Sequence, residues 1–200
     1  MALDTTLGSI KWGVYAFFDF DNEPIYVGQT KEKLSTRIRR HLTNQRTDAV
    51  AMNVLDPFEV HTIEVWPLAD FEHRLASDKG AVAHLNALEY AVYQLLLGKS
   101  EFNVVLNEKD PPAPRVAVAL PTSIRGTIVS AEVSRLRDHP DLRIARRAAT
   151  LAKLAQVISE RKVQKGLRRT LLAQTQRLQS LALKRYAQMS QVAEDDSTDE

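Results

Sequence analysis

Gly13-Val14-Tyr15-Ala16-Phe17-Phe18, the polar segment Asp19-Phe20-Asp21-Asn22-Glu23-Pro24, and Ile25-Tyr26-Val27-Gly28 decide the fold. Val14, Ala16 and Phe18 alternate with Tyr15, Phe17 and Asp19, the period of a strand. Ile25-Tyr26-Val27 reads as its partner. The Asp/Asn/Pro-rich segment between them reads as a hairpin loop, because those side chains bond their own backbone and pre-set turn dihedrals. Working outward, Thr30 to Leu42 places Leu34, Ile38 and Leu42 four residues apart, as on a helix. Phe58 to Trp66 alternates again and predicts a third strand. Ala81 to Leu97 predicts a second helix with Leu85, Leu88, Val92, Leu95 and Leu96 on one apolar face and Gly98 placed to end it.

Asp110-Pro111-Pro112-Ala113-Pro114 is the clearest boundary, since prolines this dense continue neither a helix nor a central strand. The sequence therefore divides into a first domain over 1–110, a Pro-rich linker over 111–121, a basic helical region over 122–190 and an acidic tail over 191–200 expected to be disordered. Within the third part, Asp138-His139-Pro140-Asp141 reads as a turn with a helix cap. Leu142 to Arg161 and Gln164 to Met189 follow as helices, with Leu167, Leu171, Leu178 and Tyr186 as a candidate buried seam.

The net charge of +2 conceals an asymmetry. Residues 1–111 carry 11 Lys+Arg against 16 Asp+Glu, a balance of −5; residues 112–190 balance at +12; the last ten residues balance at −5. A basic segment beside an acidic domain suits a polyanion partner. It equally suits a solvated helical face, or a bundle that pairs two copies of the chain into a homodimer. The absence of cysteine excludes a disulfide scaffold and a thiolate zinc site. The first eleven residues do not read as a signal peptide, and no apolar run reaches the roughly 20 residues that span a bilayer. A cytoplasmic location without membrane attachment is the expectation.

Several residues could carry chemistry. Glu89 sits beside Leu85 and Leu96 at the edge of an apolar helix face, where a carboxylate is costly unless paired or bound to a cation. A salt bridge to an arginine would meet that need, and so would a hard divalent ion. Arg37 and His41 lie four apart and share a helix face. One residue type is suited to bidentate phosphate binding, the other to proton transfer near neutral pH. Tyr15 and Tyr26 bring hydroxyls that could orient or deprotonate water, although a phenol with a pKa of about 10 needs nearby positive charge to ionise. Asn103 is a candidate hydrogen-bonding partner to a tyrosine or phosphate, or a turn residue after the helix.

Gly13-Val14-Tyr15, Tyr26-Val27-Gly28, Leu34-Ser35-Thr36-Arg37-Ile38-Arg39-Arg40-His41, Ala87-Leu88-Glu89 and Phe102-Asn103 occur in this order over about residues 12–107. Together they resemble the GIY-YIG nuclease superfamily, and the Arg/His spacing looks most like its restriction-endonuclease branch. The resemblance implies an α+β fold, a small three-stranded antiparallel sheet flanked by helices, here followed by a basic α-helical C-terminal region. It implies a catalytic set of Tyr15, Tyr26, Arg37, His41, Glu89 and Asn103. Glu89 would be the ligand of one Mg²⁺ or Mn²⁺, and double-stranded DNA the substrate, cut by phosphodiester hydrolysis. Homing or repair nucleases, and a non-catalytic nucleic-acid-binding protein on the same fold, are the alternative outcomes. The sequence departs from the pattern at Gln29, where some restriction members carry lysine, and residues 112–200 carry none of the resemblance.

Overall fold

Strand alternation in the opening motif becomes β1 (Gly13–Phe18), which pairs antiparallel with β2 (Pro24–Thr30) on one side and β3 (Thr62–Pro67) on the other. These coordinates are a computed structural model that describes residues 6–43, 56–107, 109–160, 162–163 and 165–198. The hairpin turn forms as its composition predicts. Asp19 Oδ1 accepts the backbone N–H of Asp21 and of Glu23, each at 2.9 Å, and Asn22 takes a left-handed φ of 65°. α1 spans Leu34–Leu42, α2 Lys79–Lys99, α3 Ala131–Arg137, α4 Pro140–Glu160 and α5 Lys165–Thr198. No described helix is long and apolar enough to cross a membrane.

The sheet has four strands rather than the three expected. β4 (Ile124–Thr127) pairs with β3, giving the order β2-β1-β3-β4. All four β4 residues are exposed, so this strand is held by backbone bonds and carries no apolar alternation to announce it. Other boundaries also move. Thr30 stays in β2 opposite Gly13, so α1 starts later than predicted. The expected third strand opens instead as a 3-10 turn at Pro57–Glu59, where Asp56 Oδ1 caps Phe58 N at 2.9 Å. α2 runs through Gly98 and is closed by Ser100. Arg161 and Gln164, expected helix ends, lie outside the described residues, and the acidic stretch beyond residue 190 continues α5 to Thr198.

β1 is buried along its whole length because both sheet faces are covered. Val14, Ala16, Phe18, Val27 and Trp66 pack against Leu85, Leu88, Val92 and Leu96 of α2. Tyr15, Phe17, Ile63 and Val65 pack on the other face with Leu34 of α1, Leu154 and Ile158 of α4, and Leu167 and Ala173 of α5. The C-terminal helices therefore close the core of the N-terminal half. Leu167 and Leu171 join that core, whereas Tyr186, expected in the same seam, is 74% exposed. The antiparallel pairing explains this. Arg185 bonds Asp141 at the start of α4, and α5 overhangs its partner beyond that point.

Buried ion pairs tie the two halves together. Arg147 donates Nε to Glu59 Oε2 at 3.0 Å and Nη2 to Asp19 Oδ2 at 2.9 Å. Arg177 donates to the same Asp19 oxygen, Arg143 to Asp21, and Arg146 Nη2 to Glu59 Oε1 at 2.9 Å. Asp19, Glu59, Arg143, Arg147 and Arg177 are each at most 6% exposed. Much of the basic excess of residues 112–190 thus neutralises the acidic excess of the N-terminal half. Removing one member strands a buried opposite charge. Arg147→Met should therefore lower the unfolding free energy by about 3 kcal/mol in urea denaturation. Arg185→Met, at the solvent-exposed pair with Asp141, should leave the urea midpoint unchanged.

Candidate active site

Tyr15 stands at the centre of β1 with no solvent exposure, and its hydroxyl lies 2.7 Å from His41 Nε2. Arg37 Nε donates to the same phenolic oxygen at 3.3 Å. Arginine has only donors, so the phenolic oxygen accepts from Arg37; in the His41 tautomer with Nε2 unprotonated, the phenol donates its own proton to that nitrogen. The α1 periodicity creates this arrangement. Leu34 and Ile38 anchor the helix on the sheet, and Arg37 and His41, one turn apart, project from the flank beside them. His41, 4% exposed, is enclosed by aromatic rings, with centroids 4.9 Å from Tyr26, 5.8 Å from Tyr15 and 5.9 Å from Phe17.

Gly28 permits this packing. A Cβ there would lie 2.7 Å from Tyr26 Cε1 and 2.8 Å from the Tyr15 hydroxyl. No side chain fits without displacing both tyrosines, which explains the glycine at the end of the second motif.

Glu89 approaches from the opposite face. Register pairs Gln29 with Val14, whose side chain faces α2, so Gln29 faces α2 as well. Gln29 Nε2 donates to Glu89 Oε2 at 3.1 Å and to Asn86 Oδ1 at 2.9 Å. Burial raises the Glu89 pKa to about 7, with Arg37 and Gln29 partly offsetting the rise. Burial likewise opposes the charge on Arg37, but Tyr15, Tyr26 and Glu89 outweigh it and raise its pKa. Arg37 thus couples the aromatic pair and His41 to the carboxylate across the edge strand β2.

Five of the six expected residues come together in this way: Tyr15, Tyr26, Arg37, His41 and Glu89. Asn103 does not join them. It is exposed in the turn after α2, with a left-handed φ of 51° and its N–H on Ser100 O at 3.2 Å. Sequence reading missed Asn107, which is 7% exposed. Its Oδ1 accepts from Val27 N at 3.0 Å and its Nδ2 donates to Val27 O at 2.8 Å, closing the free edge of β2 beside the second tyrosine. The signal was a polar residue directly after the apolar run Val104-Val105-Leu106. Gln29 was noted only as a departure, and Asn86 not at all.

A hard divalent cation fits this donor set. Among the described residues no three His, Asp or Glu side chains form a ready-made cage, so Glu89 would be one protein oxygen ligand among waters and phosphate oxygens, as Mg²⁺ accepts. Beside it, Gln29 Oε1 is buried without a hydrogen-bond partner, an acceptor that a water could satisfy.

Residues 11–86 match the family model of the GIY-YIG catalytic domain. The matched stretch is under half of the chain. It contains Tyr15, Tyr26, Arg37 and His41, while Glu89 and Asn103 lie beyond it. No curated protein and no solved structure matches the chain.

The Glu89 shift has a definite sign for stability. The folded pKa lies above the unfolded value, so ionised Glu89 opposes folding fully above about pH 7 and not at all below the ordinary pKa of 4.5. Glu89→Gln should raise the melting temperature in metal-free buffer at pH 8 by about 2–4 °C, the shift that ~1 kcal/mol produces at this size. Most of the gain should vanish at pH 5; an equal gain at both pH values would place the cause elsewhere.

Proposed function

We propose that this chain is a divalent-metal-dependent endonuclease that hydrolyses phosphodiester bonds of double-stranded DNA. The hydrogen-bonded series Arg37–Tyr15–His41, set across the sheet edge from an isolated carboxylate, supports this most directly. Within that class we assign a restriction-type role, on the spacing of Arg37 and His41 in α1. A purely binding protein would have no need of a buried phenol hydrogen-bonded to a histidine.

The residues divide the work. Hydrolysis requires a proton acceptor for the attacking water and charge neutralisation on phosphate. In the His41 tautomer with Nε2 unprotonated, that nitrogen accepts from the Tyr15 hydroxyl 2.7 Å away, so a proton leaving water through Tyr15 has a destination. The Arg37 charge beside the phenolic oxygen stabilises its ionised form. Arg37 commits Nε to Tyr15, and its remaining N–H groups are suited to a phosphate oxygen. Tyr26, whose ring stacks on Phe17 with centroids 6.0 Å apart, would orient phosphate or water. Glu89 would hold the cation, whose chemistry is to neutralise charge on the phosphate and the leaving oxygen.

Cleavage of supercoiled plasmid with Mg²⁺ tests the assignment. Tyr15→Phe should lower the rate by roughly 10²-fold or more with DNA affinity nearly unchanged. Glu89→Gln should abolish cleavage. Wild-type cleavage by Glu89→Gln at saturating Mg²⁺ would remove the metal assignment. Normal rates in both Tyr15→Phe and Tyr26→Phe would transfer the base to His41.

DNA contact is assigned to cations left over from the internal network. Among the described residues, Lys162, Lys165, Arg168 and Lys184 are exposed and form no salt bridge with a carboxylate. Truncation of the C-terminal region would open the core under Tyr15, so substitution is the cleaner test. Lys162→Ala, Lys165→Ala and Arg168→Ala together should reduce the log–log salt slope of DNA binding by about 2–3. An unchanged slope would move the DNA path away from the start of α5.

A further inference from the structure

We propose that Gln29, braced by Asn86, is a positioning residue that presents the Glu89 carboxylate to a divalent cation. This rests on the metal assignment above. It concerns a side chain with no proton to transfer, one strand residue beyond Gly28.

The hydrogen bonds define the role. The two N–H bonds of the Gln29 amide are both used, one on Asn86 Oδ1 at 2.9 Å and one on Glu89 Oε2 at 3.1 Å. Asn86 and Glu89 are three apart on α2 and share a helix face, so one amide spans adjacent turns. Reversing the Gln29 amide alone would turn its carbonyl onto Asn86 Oδ1 and the Glu89 carboxylate, so this orientation is the one that uses both N–H groups. A single Glu89 oxygen is thereby held in place, leaving the other for an incoming ligand.

The other end of the amide gives the second observation. Gln29 Oε1 is buried and accepts no hydrogen bond. A buried acceptor beside a half-buried carboxylate is matched by a water that a cation holds, because such a water has hydrogen atoms to donate and the protein supplies none. Gln29 is also neutral, so it orients Glu89 without forming an ion pair that would compete with the cation. Partners of ligating side chains in general set ligand orientation, and their loss costs roughly 10–100-fold in metal affinity.

Mn²⁺ titration of the full-length chain, followed by electron paramagnetic resonance without DNA, tests this. Gln29→Met keeps the length of the side chain and removes both ends of the amide. It should weaken Mn²⁺ binding by about 10-fold or more with the melting temperature unchanged. Asn86→Ala should weaken it in the same direction and by less. In the Glu89→Gln background, adding Gln29→Met should change nothing further, because the oriented group is gone. In cleavage assays, raised Mg²⁺ should restore the Gln29→Met rate. Wild-type Mn²⁺ affinity in Gln29→Met, with binding still lost in Glu89→Gln, would overturn the positioning role and leave the metal site standing. Absence of Glu89-dependent Mn²⁺ binding in the wild-type chain would overturn the metal site itself, and the positioning role with it.

Discussion

Asp19 receives four hydrogen bonds in a space from which water is excluded. Two come from its own hairpin turn and two from Arg147 and Arg177. This carboxylate is where the two halves of the chain become one structure. Its turn bonds shape the β1–β2 hairpin that carries both tyrosines. Its arginine bonds hold α4 and α5 over the face on which Tyr15 lies. Isolated buried charges cost several kcal/mol each. The arrangement is tolerated because Glu59 and Asp21 balance the remaining guanidinium charge. A cluster of this kind also selects one docking geometry, since any other placement of the helices leaves charges unmatched.

The site depends on that closure. Its components arrive from opposite faces of the sheet: the phenol, histidine and arginine from the α1 side, the carboxylate and amides from the α2 side. Only the edge strand β2 separates them, and Gly28 is the thin point in that wall. Asn107 seals the outer edge of the same strand by taking both backbone groups of Val27. The strand therefore behaves as a fixed partition rather than a free edge, which keeps Tyr26 and Gln29 in register with their partners.

The sequence made much of this legible. Period-two alternation located β1 and β2, and a four-residue repeat located α1, because their burial follows those periods directly. The motif residues on α1 and the hairpin were found through the resemblance of their order and spacing to the GIY-YIG pattern, since singly each reads as an ordinary strand or helix residue. β4 was not legible, since an exposed strand of Ile-Arg-Gly-Thr has no apolar pattern. Neither was the true use of Arg143, Arg147 and Arg177. Basic residues on a helix look alike in sequence whether they meet solvent, a polyanion or carboxylates more than a hundred residues earlier. Asn103 followed the motif, but local backbone geometry places it in a turn, while Asn107 meets the strand.

The sequence distance inside the Asp19 cluster bears on how the protein is made. Asp19 and Arg177 are 158 residues apart. During synthesis, the hairpin bearing both tyrosines leaves the ribosome long before the arginines that neutralise it. Until α4 and α5 emerge, the Tyr15 face has only α1 over it, and Asp19, Asp21 and Glu59 lack the arginines that pair with them. The partly made chain thus lacks the cover and the ion pairs of the folded core. The core around Tyr15 and the Asp19 ion pairs therefore close only after α5 has been made.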